Sequence, residues 1–336
     1  MSEGKAAVSR PTLFLTDDDV RRVFDWREAS EALRRAYAAP ASDAAFPPRT
    51  MARGQGLWLR TLSGISPNGD VMGAKLIAAS IRNRRASYLI PLFDQESAEL
   101  VALLDGNAIT GFRTAGASAL AADILTPPGP RRLGVLGTGF EAKNHVRALA
   151  AIREIESVSV FSPSPESRAR FVSELADLGL PITPAEDARA VVEGAGILLC
   201  AARSHGELPL FDGRWLAPGA TVVSIGSTLP EQREIDPETV RRAAIIVADM
   251  PEEVAHDTGD MIAAATAGVA FADRLVSLAD VVGGRHPGRG SPDDIVLYKS
   301  VGAALQDIAI AQMCAVRAKN LSIGTPLPVS ISPVQK

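Results

Sequence analysis

Cysteine is nearly absent from this 336-residue chain: Cys200 and Cys314 are the only two, far apart and each in an apolar stretch. A small disulfide-stapled fold is thereby excluded, and the pair is expected as buried free thiols in a reducing compartment. Histidine is almost as scarce, with four in all and none in metal-ligand spacing with another or with cysteine. No metal site is expected. No apolar run reaches membrane-spanning length, and the N-terminus lacks the charged-then-apolar order of a signal peptide. The expectation is a cytoplasmic protein with no membrane partner. A strong charge of either sign is missing too, since a net charge of −4 gives no electrostatic case for nucleic acid.

What is present describes an ordinary globular protein. With 46% hydrophobic and 22% charged residues it has the usual composition of a packed protein, and its length suits two domains. Residues 1–11 read as a loose tail, Thr16-Asp-Asp-Asp as a helix cap, and Trp26 to Ala38 as an amphipathic helix. Four candidate strands follow at 57–62, 71–78, 87–93 and 100–104, then an alanine-rich helix over Thr114–Leu125. Thr126-Pro-Pro-Gly-Pro is a rigid boundary, after which strands alternate with helices in the pattern of a parallel, doubly wound, Rossmann-type sheet. A strand from Asp294 feeds a helix through Ala303–Arg317 that carries the chain back to the first domain. The fold class is therefore α/β, with a Rossmann-type domain over 126–319 and a discontinuous α+β domain from 1–125 and 320–336.

The stretch Arg132 to His145 organises the second domain. It reads as a buried strand, a glycine turn and a helix, the arrangement in which a helix N-terminus meets a pyrophosphate. Gly137 permits the tight turn, Gly139 leaves room for the phosphate and Ala142 lets helix and strand pack closely. Thr138, Phe140 and Glu141 complete this dinucleotide site. Later strands end at Cys200-Ala201-Ala202-Arg-Ser and Ile225-Gly226, and those ends should face the ligand crevice. The second strand ends without the Asp or Glu that binds the ribose of NAD(H). It offers Ser162, Ser164 and, one turn along, Arg168, which suit a 2′-phosphate, so NADP(H) is favoured with NAD(H) as the alternative. Glu252, Glu253 and Asp257–Asp260 form an acidic stretch expected to be solvated.

Three basic residues stand out in the first domain. Arg49 follows Pro48 ahead of the first expected strand, where a solvated loop arginine is the ordinary reading. Lys75 lies inside an apolar strand between Ala74 and Leu76. A buried cation there needs an anionic partner or a depressed pKa, and the alternative is a lysine that snorkels to water. Arg113 sits among small residues at the expected start of a helix, placed to bind a carboxylate at two points.

Five separated motifs occur in one order: Gly73-Ala-Lys75; Leu104-Asp-Gly106 with Thr110-Gly-Phe-Arg113; Gly137-Thr-Gly139; Gly226-Ser-Thr-Leu-Pro230-Glu-Gln-Arg233-Glu234; and Lys299-Ser-Val-Gly302 with Asp307. In this the chain resembles the ornithine cyclodeaminase/mu-crystallin family. The resemblance implies a homodimer whose first domain binds substrate and whose second binds the dinucleotide. It implies that Arg49, Lys75 and Arg113 grip the carboxylate of a small amino or imino acid, and that Ser87, Arg113, Thr114, Val301 and Gly302 also serve the cofactor site. Cyclodeaminases place an Asp at the position of Thr228, and a threonine cannot act as that base near neutrality. The run around Thr228 is similar to the ketimine-reducing, mu-crystallin branch. An NADP(H)-dependent imine reductase is therefore expected, with Lys75 and Arg113 as its catalytic pair and Thr228 contributing a hydrogen bond. The alternatives are a cyclodeaminase and a dinucleotide binder without turnover.

Overall fold

The computed structural model describes residues 11–202, 206–328, 331, 333 and 334. The chain forms two compact units, Met1–Arg113 with Ala304–Lys336, and Thr114–Ala303. The division thus falls inside one helix and ahead of another, where the sequence reading set it after residues 125 and 319. Residues 1–10 of the expected tail lie outside the described residues.

The first unit opens with strand β1 (Leu13–Leu15) and helices α1 (Asp17–Val23) and α2 (Trp26–Ala38). Thr16 and Asp19 cap α1 reciprocally, and the Asp25 carboxylate caps α2. Ala29, Leu33, Ala36 and Tyr37 recur at helical spacing and are the buried stripe of α2. Five strands joined antiparallel follow: β2 (Thr50–Gly54), β3 (Leu57–Ile65), β4 (Val71–Ser80), β5 (Arg85–Asp94) and β6 (Leu100–Asp105). The exposed β2 has no apolar alternation and was not expected from sequence.

Helix α3 (Asn107–Leu125) starts at Asn107 rather than at Thr114, so Arg113 lies in its second turn. The reason is a cap supplied from a distance: Asp17 Oδ1 accepts the Ala108 N–H at 2.8 Å, beside Asp105 on the Asn107 N–H. A donor group satisfied by another helix leaves little local mark in the sequence.

The second unit alternates β7 (Arg131–Leu136), α4 (Phe140–Ile152), β8 (Ile155–Phe161), α5 (Pro165–Glu174), β9 (Ile182–Pro184), α6 (Ala188–Glu193) and β10 (Ile197–Cys200). It continues with β11 (Thr221–Ser224), α7 (Pro237–Arg242), β12 (Ala243–Ala248), α8 (Pro251–Asp257), α9 (Gly259–Thr266), β13 (Leu275–Ser277), α10 (Leu278–Val282) and β14 (Ile295–Lys299). All eight strands run parallel, in the order β13-β12-β14-β11-β10-β7-β8-β9. This is the Rossmann-type sheet. Strands β10, β11 and β14 are buried at every residue, which is why they read as short unbroken runs rather than alternating ones. Strand order reverses at β7, with β8 on one side and β10 on the other, which makes the C-terminal ends of β7 and β10 the topological switch point of the sheet.

Helix α11 (Ala304–Asn320) and strand β15 (Thr325–Pro326) return to the first unit, whose sheet has the order β15-β1-β6-β5-β4-β3-β2. Helix α11 packs on α2 and β4. A Cβ on Gly64 would meet Phe46 at 2.6 Å and Ile308 at 3.1 Å, a measure of how closely helix and sheet approach. On the other face, Leu57, Leu59, Ile65 and Leu89 are left exposed. Cys200 and Cys314 are both buried and unpaired, and no helix among the described residues is long and apolar enough to cross a membrane.

Candidate active site

In the first unit the site is built from one strand and two helices. Lys75, on the β4 face that meets α11, is 1% exposed, and its Nζ lies 2.8 Å from Asp307 Oδ1 of α11. From α3, Arg113 brings Nε to 3.3 Å of the same oxygen, while its NH1 donates to Gln306 Oε1 at 2.9 Å. Gln306 in turn donates through Nε2 to the Tyr37 hydroxyl at 2.8 Å. Burial rules out the snorkelling lysine. It also strips the ammonium of water, and with the Arg113 charge it pulls the Lys75 pKa down to about 8, against the opposing pull of Asp307. Arg49 lies close enough to lower that pKa further.

Two buried cations therefore share one carboxylate among the described residues, and a bound anion would restore the balance. The sequence singled out the cations but gave Asp307 and Gln306 no role. A buried Asp on a helix has no local signature. Ser87 is not brought to this cluster: its register partner is Ala78, which faces the side of β4 away from Lys75 and Ile77, and Ser87 is exposed. Thr114 follows Arg113 on α3.

In the second unit the glycine turn sits at the switch point. Gly137 has φ +116, and a Cβ there would lie 2.5 Å from the Ala201 carbonyl oxygen beyond β10. Backbone crowding alone requires glycine. Gly139 differs. Its φ of −77 is ordinary, and a Cβ would meet nothing within 4 Å. The space ahead of α4 is thus open, and among the described residues no side chain caps its first N–H groups. Ala142 is fully buried. An open cradle before an uncapped helix fits a pyrophosphate, with Thr138, Phe140 and Glu141 around it.

At the end of β8, Arg168 donates to the Ser162 carbonyl at 2.5 Å and lies over the Phe161 ring at 5.6 Å. Ser164 is already engaged: it accepts from the Ser167 N–H as the cap of α5 and donates to Glu166 at 2.8 Å. Of the two hydroxyls that the sequence assigned to a 2′-phosphate, that of Ser164 is occupied by local capping.

Beyond β10 and β11, Glu141, Ala201, Ala202, Gly226, Thr228 and Gln232 line a cavity of 350 Å³. A buried network lies behind it. Glu234 accepts from the Ser224 hydroxyl at 2.6 Å, the Gly226 N–H at 2.9 Å and the Ala202 N–H at 3.3 Å, tying both strand ends together. Lys299 bridges Ser224 at 2.9 Å and Asp260 at 3.1 Å, and Asp260 accepts the N–H groups of Glu234 and Ile235. Burial raises the Glu234 pKa to about 7, with Lys299 opposing. Asp260 is therefore a buried structural anion, in contrast to the solvated stretch that the sequence suggested. After β14, Asp249 accepts the N–H groups of Val301 and Gly302 at 3.0 and 2.8 Å and the Ser300 hydroxyl at 2.6 Å, fixing that turn. Arg203 and Ser204, expected at the crevice, lie outside the described residues.

This chain is similar to several reductases. The iminosuccinate reductase of Paracoccus denitrificans is 30% identical over 238 residues, 71% of this chain and 72% of that protein. The mouse ketimine reductase mu-crystallin is 27% identical over 263 residues, 76% of this chain and 79% of its own. The structure of Thermococcus litoralis Δ1-pyrroline-2-carboxylate reductase, in complex with NADH and L-proline, is 27% identical, covers 94% of this chain and 100% of that one, and superposes with a TM-score of 0.85. The profile of the ornithine cyclodeaminase/mu-crystallin family matches residues 27–322, and the chain belongs to that family.

Proposed function

We propose that the protein reduces an α-imino acid, cyclic or open-chain, to the amino acid at the expense of a nicotinamide dinucleotide, with NADPH preferred. It is an oxidoreductase of the carbon–nitrogen class, as its relatives' names indicate. The observation that carries the choice of substrate is the pair Lys75 and Arg113, desolvated together against the single carboxylate of Asp307. With Arg49 they hold the carboxylate of the imino acid. When bound, the dinucleotide supplies a hydride to the imine carbon. Gly137, Gly139 and the N-terminus of α4 hold its pyrophosphate, Arg168 favours a 2′-phosphate, and the Ala201–Ala202, Gly226 and Val301–Gly302 turns frame the rest.

The chain's own chemistry is orientation and proton supply. A neutral imine is a poor hydride acceptor, and protonation at nitrogen corrects that. Lys75, with its pKa lowered to about 8, is still an ammonium near neutrality yet gives up its proton more readily than an exposed lysine. Thr228 offers a hydrogen bond where a cyclodeaminase has a charge. A homodimer is supported by the exposed Leu57, Leu59, Ile65 and Leu89 on one sheet face.

The test is oxidation of NADPH and of NADH, followed by absorbance, with cyclic imino acids and with 2-oxo acids plus ammonia or methylamine. Oxidation is the expected result. No oxidation, with ammonia released from ornithine or lysine in the presence of NAD, would make the protein a cyclodeaminase.

A further inference from the structure

The Thr228 hydroxyl has its proton committed within the protein. Gln232, 7% exposed, places its side-chain oxygen 2.9 Å from the Thr228 backbone nitrogen and 3.1 Å from Thr228 Oγ1. A backbone N–H can only donate, so the atom facing it must be the amide oxygen rather than the amide nitrogen. That same oxygen then leaves Thr228 Oγ1 one way to pair with it, by donating. The turn is tightened by the Ser227 hydroxyl on the Gln232 carbonyl at 2.6 Å and by the Gln232 N–H on the Leu229 carbonyl at 3.0 Å. Thr228 and Gln232 both line the cavity beyond β10 and β11. What Thr228 presents to a molecule there is therefore lone pairs.

From this we infer that Gln232 is a specificity-determining residue: by holding the Thr228 hydroxyl as a hydrogen-bond acceptor, it selects substrates that present an N–H, the protonated imine, over 2-oxo acids that present a carbonyl oxygen. The inference rests on the proposed imine reduction and names the protonation state of the substrate that the site takes. The bookkeeping closes. The imine nitrogen, protonated at the expense of Lys75, carries its N–H into the step; the hydride adds to carbon, and the C=N π pair moves to nitrogen as the nicotinamide is oxidised. The N–H bond is kept throughout, so the acceptor at Thr228 holds reactant and product alike. A carbonyl in the same position sets oxygen lone pairs against oxygen lone pairs. Gln232 acts through Thr228, which makes it a positioning residue.

The experiment compares kcat/KM for the best imine with kcat/KM for the matching 2-oxo acid without amine, in the wild type and four variants. In Q232L the Thr228 proton is released to meet a carbonyl, and the imine-to-oxo-acid ratio falls by about 10-fold or more, the effect of a hydrogen bond to a charged group. T228V lowers the ratio as well, and the double variant T228V/Q232L is no worse than T228V alone. Q232E, whose carboxylate accepts both bonds and adds a charge that favours the iminium, keeps the ratio at or above the wild-type value. Calorimetry of the dinucleotide-loaded protein gives a second readout: the amino-acid product binds more tightly than the corresponding 2-oxo acid, which has no donor for Thr228, and Q232L narrows the gap. A ratio unchanged in both Q232L and T228V overturns the inference, as does Q232L lowering imine and oxo-acid turnover equally while T228V leaves the ratio intact. A wild type that reduces no imine overturns the proposed function, and this inference with it. Wild-type reduction with unmoved ratios overturns the inference alone.

Discussion

Lys75 and Asp307, 232 residues apart in the sequence, meet as a 2.8 Å ion pair with both side chains out of water. Such a pair costs desolvation that its own attraction only partly returns, so it is weak as a source of stability. Its value lies in poising a cation. Replacing Lys75 by Met should abolish imine reduction while dinucleotide binding persists, because Asp307 retains Arg113. Asp307→Asn should cost more stability, about 3 kcal/mol, since it leaves two buried cations without their anion. Thermal unfolding of both variants, with fluorescence titration of NADPH, checks the order. An Asp307→Asn protein as stable as wild type would contradict it.

Two pH profiles should move in opposite directions. If Lys75 must be protonated for turnover, kcat/KM falls as pH rises through about 8. Stability goes the other way. The folded pKa lies below the ordinary lysine value of 10.5, so between about 8 and 10.5 the unfolded chain binds more protons and this group's contribution rises with pH. Removing the Arg113 charge by Arg113→Gln should shift the alkaline limb of any residual activity upward. An unmoved limb would detach Lys75 from it.

Glu234 has the opposite sign. With its pKa raised to about 7 from 4.5, the folded chain binds more protons over that window, and the contribution to stability declines as pH rises through it. Glu234→Gln should flatten the dependence of Tm on pH between these values. It should also raise the KM for the dinucleotide, since one amide oxygen cannot accept from Ala202, Ser224 and Gly226 together. Unchanged KM would make the network purely structural.

The glycines of the turn separate fold from ligand. Gly137→Ala meets the Ala201 carbonyl at 2.5 Å and should lower Tm. Gly139→Ala has room and an ordinary φ, so stability should stay within about 0.5 kcal/mol while dinucleotide affinity drops, because the added methyl fills the cradle. Equal affinity in Gly139→Ala and wild type would place the pyrophosphate elsewhere. Arg168→Ala should weaken NADPH more than NADH, and an equal loss would remove it from the 2′-phosphate.

Leu59 projects from the uncovered face of the first unit's sheet, in register with Ala78. If this face carries the proposed homodimer, Leu59→Glu should leave the unit's own packing unharmed and shift sedimentation equilibrium towards monomer. A persistent dimer would move the interface.

The sequence by itself determined the local and the periodic. Glycine spacing between an apolar run and a helical one marked the turn ahead of α4, capping residues marked α1 and α2, and an isolated lysine in an apolar strand was enough to demand an anion. These signals work because they lie within a few residues of one another. The tertiary structure decided which anion and from where: Asp307 comes to Lys75 from α11, Asp17 sets the start of α3, and Asp260 leaves an apparently solvated stretch to hold Lys299. It decided, too, that Ser164 is spent on capping and that Ser87 turns away from Lys75. Buried charges are paired by long-range folding, and sequence neighbours carry no record of a partner supplied from a distant part of the chain.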